Sequence, residues 1–482
     1  MNQHYSHEYH ILDHKTFPAK RVRSRVNNKP WITPQIRRSM ARRRHAWSLG
    51  HTQQWRHLYW RIRRDIRHAK RNTARNIERH DVNSSKFSNG IRSILGFKRK
   101  ELNLQGFENL NNGEISERIR DFFTNICTKH PPLNRSSLPA YLPANNDLPE
   151  IDRVMTYNAL LKLKLNKASP PDELPKRLLK EFAYEFSLPL CHIYNLCLRK
   201  GVFPQRWKRA TITPLPKKKV VSELSELRPV SLTPDLGKIL EGIVAKIMLN
   251  DIGASIDERQ YGNLKGSSTA HYLIFLLDEV LKGLEERDTM ASLILIDFKK
   301  AFDFVDHTTA VSDLIAMGCR SSIVLFLNDF LTGREHRVKY GDAITTFAPI
   351  TCGVPQGTVA GPVVFLALVN SLCQAIAKRA KFVDDLTFAH IIKLIREVLQ
   401  FPQQRDLDAL ASECIKKLME TNPIKCEALH VFPEERQPWP LVLPDLKLNG
   451  VQSRPIVRVR HVCCKTFLNR VFNPLPIRFD QN

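Results

Sequence analysis

Three aspartates dominate the chemistry open to this chain. Asp384 and Asp385 stand side by side in Phe382-Val383-Asp384-Asp385, and Asp297 ends the apolar run Ser292-Leu293-Ile294-Leu295-Ile296 well upstream. Adjacent carboxylates repel and lose hydration near a core, so a fold that adds a third gains something from the cluster, most often bound divalent cations. Two-metal phosphoryl transfer is the chemistry such a cluster serves best. Between the acids lies Gly353-Val354-Pro355-Gln356-Gly357, whose glycines let backbone approach a flat or phosphorylated ligand. Taken singly, a strand ending in Asp is a routine cap or turn former, and Asp-Asp is a routine solvent-facing loop. Their order along one chain gives them weight.

The elements that must position these groups are legible around them. A continuous apolar run before Asp297 fits a strand covered on both faces. After it Lys299 to Asp303 turn the chain, and His307 to Met317 read as a helix ended by Gly318. The segment Ala380 to Phe388 has β-favouring flanks on both sides of the two acids, as in a tight hairpin with the acids at its tip. Gly361-Pro362 opens a buried helix along Val363 to Val369. Upstream, helical patterns cover Tyr157–Leu165, Leu174–Tyr184 and Leu188–Arg199, the last stopped by Gly201. Ala210–Pro216 reads as a strand running into Pro-Lys-Lys-Lys, and Leu236–Leu249 as a further helix.

Charge narrows the partner. The 482 residues carry 74 Lys and Arg against 48 Asp and Glu, for a net +26, which favours a polyanion through counterion release and steering. Between Lys15 and Asn72, 18 bases face one acid, Asp65, so this stretch supplies +17 of the excess. Thr33 and Pro34 are suited to start a helix there. Further on, Trp55, Leu58, Tyr59, Ile62, Ile66 and Ala69 recur at helical spacing, with Arg56, Arg61, Arg63, Arg64 and Arg67 filling the other faces. Intrahelical ion pairs cannot account for so one-sided a composition. RNA or template contact is the functional reading, a solvated amphipathic helix the bland one, and Arg42-Arg43-Arg44 serves equally as a nuclear address. The 43% hydrophobic content is enough for a real core. No signal peptide or bilayer-length apolar run is apparent, so an intracellular, soluble protein with no membrane partner is expected. Ten cysteines without a CxxC pair read as reduced, and His461-Cys463-Cys464 makes a poor zinc site.

Six stretches in order carry a family resemblance: Arg228-Pro229-Val230-Ser231-Leu232, Gln260 to Thr269, Leu295 to Asp303, Gly353 to Gly357, Phe382 to Asp385, and Asn422-Pro423-Ile424-Lys425-Cys426. Together they resemble the successive motifs of reverse transcriptases, in particular those of non-long-terminal-repeat retrotransposons of the Jockey and LINE kind. The resemblance covers roughly residues 174 to 450. It implies an α+β right-hand polymerase, with fingers and an antiparallel palm sheet with packed helices, preceded by a basic helical segment. It also implies Asp297, Asp384 and Asp385 as ligands of two Mg²⁺, with Mn²⁺ as a possible substitute. Phe302 would lie under the incoming sugar as a deoxynucleotide gate, or else be a plain palm aromatic. Arg228 and Lys265 would contact the triphosphate, unless they are solvated charges. Gln356 and Gly357 would border the nascent base pair, and Lys425 would protonate pyrophosphate unless it is a surface lysine. RNA template, DNA primer and deoxynucleoside triphosphates are the implied partners.

The expected organisation is a disordered basic N-terminus (1–30), a basic helical segment (31–82), a linker or extended arm (83–150), a helical finger extension (151–196), the polymerase domain (197–450) and a divergent tail (451–482). Two departures from the family pattern stand out. Ser169-Pro170-Pro171-Asp172-Glu173 replaces the usual Gly-Pro-Asp-Gly, and the Arg-rich end reads as an altered or truncated thumb, as in a truncated or frame-shifted copy. No endonuclease or ribonuclease H segment is expected. A non-catalytic nucleic-acid-binding relic is the alternative reading, and an acid-pair hydrolase using Asp297 and Asp384 a third.

Overall fold

The computed structural model describes residues 31–78, 104–140, 149–165, 167–168, 174–218, 220–286, 289–393, 402–431, 446–449, 451–452 and 454–459. The expected disordered N-terminus, the Ser169 to Glu173 departure and the His461-Cys463-Cys464 group lie outside these residues. The described residues fall into two units, 31–78 and 104–459.

The first unit is a pair of helices, α1 (Pro34–Ser48) and α2 (Thr52–Glu78). Thr33 caps α1, its Oγ1 accepting from the Ile36 amide, and Pro34 sits in the first turn. Leu58 and Ile62 of the expected α2 stripe are buried, Trp55, Tyr59, Ile66 and Ala69 only half-buried, and Ile36 and Ala46 of α1 are buried as well.

The second unit begins with α3 (Asn112–Cys127), inside the stretch expected to be a linker. The helix has a reciprocal capping box between Asn111 and Glu114. Its Ile115, Ile119 and Phe123 bury against Ile212 and Val338. Helical spacing of large apolar residues thus outweighs the Pro- and Asn-rich sequence that follows it. Next come α4 (Arg153–Leu161), α5 (Lys176–Glu181) and α6 (Ala183–Lys200). Gly201, left-handed at φ 59°, ends α6 as expected. Because α6 runs through residues 196 and 197, the expected boundary there falls inside a helix whose buried side chains share one core with the rest of the unit.

A first sheet contains β1 (Arg209–Pro216), β2 (Leu227–Leu232), β4 (Arg334–Tyr340) and β5 (Ala343–Ile344) in the order β2-β1-β4-β5, with β6 (Ala348–Ile350) also on β4. Chain order between β2 and β4 adds α7 (Asp235–Ile252), α8 (Thr269–Glu285), β3 (Thr289–Ile296), α9 (His307–Ala316) and α10 (Ser321–Leu331). After β6 follow α11 (Gly361–Asn370), β7 (Arg379–Phe382), β8 (Asp385–Lys393), α12 (Gln403–Lys416), β9 (Glu427–Val431), the short pair β10 (Lys447–Leu448) and β11 (Val451–Gln452), and β12 (Arg454–Val459).

The second sheet has the order β12-β9-β3-β8-β7. β3 lies at its centre, antiparallel to both β8 and β9, and nearly every β3 residue is buried. That burial on both faces is why its sequence does not alternate. β12 pairs with β9 in parallel, so residues 454–459, expected in a divergent tail, join this sheet, which is mixed rather than wholly antiparallel. α11 is buried all round, as the Val363–Val369 run required.

Candidate active site

The register of the central sheet brings the acids together. β3 and β8 pair with Ile296 opposite Leu386, so Asp297, one residue beyond, and Asp385, one residue before, leave the same end of the sheet. β7 and β8 pair with Phe382 opposite Asp385, leaving Val383 and Asp384 as a two-residue turn. Val383 takes φ +60°, a conformation that a β-branched residue adopts only under strain from its surroundings.

Those surroundings are the Gln260-Tyr261-Gly262 segment. Tyr261 N–H donates to Lys381 O at 2.8 Å, and Lys381 N–H donates to Arg259 O at 2.9 Å. Gly262 lies against the turn, where a Cβ would come within 2.4 Å of Val383 N. Below it, buried Asp257 accepts from Arg379 Nη2 at 2.7 Å and Lys381 Nζ at 2.8 Å, tying β7 to the core. Burial pulls the Asp257 carboxyl upward, but these hydrogen bonds win and hold it down at about 2.

The third acidic neighbour is fixed from the other side. Phe298 bridges Thr421, and Asn422 N–H donates to Asp297 O at 2.7 Å. This carries Lys425 to Asp297, with Nζ 3.7 Å from Oδ2. That oxygen is buried and has no hydrogen-bond partner.

Asp297 and Asp384 line a cleft of about 750 Å³ together with Lys217, Arg228, Phe302, Asp303, Gln356, Gly357 and Lys425. Asp385, the residue after Asp384, is not among the lining residues. Burial, then the charges of Asp384 and Asp297, push the Asp385 carboxyl up to about 7. Asp384 is raised as well, by burial and then by Asp297. The three carboxylates therefore feel one another, and their mutual repulsion is of the kind a cation relieves. Among the described residues, no three His, Cys, Asp or Glu side chains stand close enough to enclose an ion. Mg²⁺ seldom uses a closed protein cage; it takes one or two carboxylates and completes its shell with water and phosphate. The oxygen-only donor set and Asp297 Oδ2, which has no hydrogen bond and only the 3.7 Å ion pair with Lys425, fit that ion.

The loop from Gly353 to Gly357 walls the cleft. Gly353 (φ +79°) and Gly357 (φ +123°) press on Asp303 O and Ser231 O, where a Cβ on either would come within 2.5 Å. Gln356 Nε2 donates to Asp303 Oδ1 at 3.0 Å, and Gln356 O accepts from Ser231 N–H at 2.7 Å. His307 Nε2 donates to Gly353 O at 2.7 Å. Phe302 stacks on Phe365 with centroids 4.5 Å apart while still lining the cleft.

Lys265 is exposed and not among the lining residues, so the structure does not bring it to the other site residues. Lys217 does reach the cleft. Its Nζ donates to Ser225 O at 2.9 Å. Burial, then Lys425 and Arg228, lower its pKa against the opposing pull of Asp303 and Asp297. The signal was the lysine run after β1, but three adjacent lysines do not say which one lines the cleft. Lys218 pairs instead with Glu226 at 2.6 Å. The five arginines Arg56, Arg61, Arg63, Arg64 and Arg67 are all exposed on α2, in the other unit.

A central sheet with an acidic hairpin thus opens on a cleft lined by both carboxylates and cations. The family described as "Reverse transcriptase (RNA-dependent DNA polymerase)" matches residues 215–457, just over half of the chain, and the chain belongs to that family. Proteins of mobile elements are among those it is similar to. It is 28% identical over 280 residues to the probable RNA-directed DNA polymerase from transposon BS of Drosophila melanogaster, covering 55% of this chain and 30% of that protein. It is 30% identical over 221 residues to the RNA-directed DNA polymerase from mobile element jockey of the same species, covering 45% of this chain and 24% of that protein. For the probable RNA-directed DNA polymerase from transposon X-element the figures are 29% over 212 residues, 43% and 23%. The matched stretch thus spans less than a third of each of these relatives. Among the described residues, no helix is long and apolar enough to cross a membrane.

Proposed function

We propose that this chain is an RNA-directed DNA polymerase that adds deoxynucleotides to a primer 3′-hydroxyl on an RNA template. The observation that carries the proposal is the meeting of Asp297 and Asp384 in one cleft with Lys217, Arg228 and Lys425. Carboxylates and cations lining one cleft suit a magnesium-bound triphosphate, whose metal needs the first and whose phosphates need the second. Asp297 and Asp384 would hold Mg²⁺, or Mn²⁺ in its place, at the cleft, with Asp385 as the further carboxylate of a two-ion set although it does not line the cleft. When bound, the ions activate the primer hydroxyl and neutralise charge on the leaving pyrophosphate.

The chain's own residues take the remaining roles. Lys217 and Arg228 bind and orient the triphosphate. Lys425, within 3.7 Å of Asp297, stands where a proton can pass to pyrophosphate. Phe302 underlies the sugar, and the Gln356-Gly357 backbone, pinned to Ser231, borders the new base pair. The exposed arginines of α2 contact nucleic acid by charge. Extension of a DNA primer on an RNA template, in magnesium with deoxynucleotides, tests this reading. Wild-type product with none from an Asp384→Ala, Asp385→Ala double variant supports it, whereas binding without extension by the wild type favours the relic.

A further inference from the structure

The helix pair α1–α2 carries more than charge. Four aromatic rings run in contact along it. Trp47 and Trp55 lie 5.4 Å apart, Trp55 stacks on Tyr59 at 5.4 Å with planes 19° apart, and Tyr59 meets Trp60 edge-on at 5.3 Å. The two end rings are the open ones, with Trp47 65% and Trp60 61% exposed. Leaving two indoles mostly in water forgoes the burial that large aromatic side chains usually gain. A helix pair this short has little other apolar surface with which to offset that.

What surrounds the rings identifies their partner. Arg63 lies over both Tyr59 and Trp60, 5.5 and 5.6 Å from the centroids, and its Nη1 donates to Tyr59 Oη at 3.1 Å. Arg43 lies 6.0 Å over Tyr59. From residue 31 to 78, thirteen Lys and Arg face only Asp65 and Glu78. A protein-docking face is depleted of charge at its centre, and so dense a positive field repels any basic partner. Duplex phosphates match the arginines but leave the rings idle, since paired bases keep their faces inside the helix. Unpaired bases on a phosphate backbone match both features at once, with each base adding a π-face to the row and each phosphate meeting an arginine.

We infer that the Trp47–Trp55–Tyr59–Trp60 row is a stacking platform for the unpaired bases of single-stranded nucleic acid. This deepens the proposed role of the α2 arginines and rests on it. Trp47 and Trp60 supply base contact, and Arg61 and Arg64, farther along α2, supply phosphate contact.

The test measures binding of the full-length chain to a fluorescent mixed-sequence 20-mer, as single-stranded RNA, as single-stranded DNA, as blunt duplex, and as an abasic strand with phosphates but no bases. The expected result for Trp47→Ala, Trp60→Ala is a loss of about tenfold or more on base-bearing single strands, in line with the stacking contribution per base. Duplex and abasic strand should bind as they do to the wild type, and the salt slope should hold. Trp47→Phe, Trp60→Phe should recover part of the affinity, and circular dichroism should show intact helices. A loss on RNA alone or on DNA alone would name the strand and support the platform. The inference is overturned by wild-type affinity in the alanine variant, or by an equal loss on the abasic strand. Arg61→Ala, Arg64→Ala separates the underlying reading, since it should weaken every probe and flatten the salt slope. If it does so while the tryptophan variant is silent, charge contact stands and stacking falls; if neither variant changes binding, both fall.

Discussion

Gly262 stands so close to Val383 that a Cβ on the glycine would come within 2.4 Å of the valine amide nitrogen. Val383 holds φ +60° beside Asp384, so the aim of the acid depends on a backbone contact reaching across more than a hundred residues.

Gly262→Ala is therefore expected to cost about 1–3 kcal/mol through overpacking and to lower primer extension at least tenfold by tilting the hairpin. Gly253→Ala is the matched control, since nothing lies within 4 Å of a Cβ there. Thermal melting and extension rates measure both. Equal activity in the two variants would show that the contact does not aim Asp384.

Phe302 offers a test of sugar selection. Because it packs on Phe365 and also lines the cleft, Phe302→Val should keep most activity while discrimination against ribonucleotides falls about tenfold or more. Incorporation ratios with matched nucleotide pairs read this out. An unchanged ratio would leave the ring as palm packing only.

Triphosphate contact is expected to fall on Lys217 rather than Lys265. Lys217→Ala should raise KM for the deoxynucleotide about tenfold, as loss of a charge-assisted contact does. Lys218→Ala and Lys265→Ala should leave KM near that of the wild type. Steady-state kinetics across the three variants decides it, and a KM rise confined to Lys265→Ala would reverse the assignment.

Asp257 makes the stability of the unit acid-sensitive. Its folded pKa, about 2, lies below the ordinary 3.8, so its contribution is complete above pH 4 and disappears as pH falls through 2. The shift corresponds to roughly 2 kcal/mol. Denaturant unfolding of wild type and Asp257→Asn should show that gap at pH 5 to 7 and a narrowing gap below pH 4. A gap constant down to pH 2 would mean that Arg379 and Lys381 do not act on Asp257 in solution.

Much of this arrangement was legible in local sequence. The unbroken apolar run into Asp297 gave away a strand buried on both faces, and Phe382 to Asp385 gave away a turn, because both patterns follow from period and burial within a few residues. Thr33-Pro34 and Gly201 marked helix ends for the same local reasons. Long-range features were hidden. Nothing near Gly262 names Val383 as its neighbour, and the lysine run after β1 does not reveal that Lys217, bonded to Ser225 O, lines the cleft. Helix α3 was obscured by the loosely patterned sequence around it, although Asn111 and Glu114 have capping-box spacing. β12 was obscured because its pairing partner, β9, lies beyond an intervening hairpin.

Joint action of Asp297 and Asp384 on one nucleotide is open to direct measurement. Single-turnover extension of a DNA primer on an RNA template, with increasing Mg²⁺, measures it most directly in wild type, Asp297→Asn and Asp384→Asn. Both variants are expected to lose at least a thousandfold in rate, roughly 4 kcal/mol of transition-state stabilisation, while still binding primer–template. Wild-type rates in either variant, at any Mg²⁺ concentration, would contradict it.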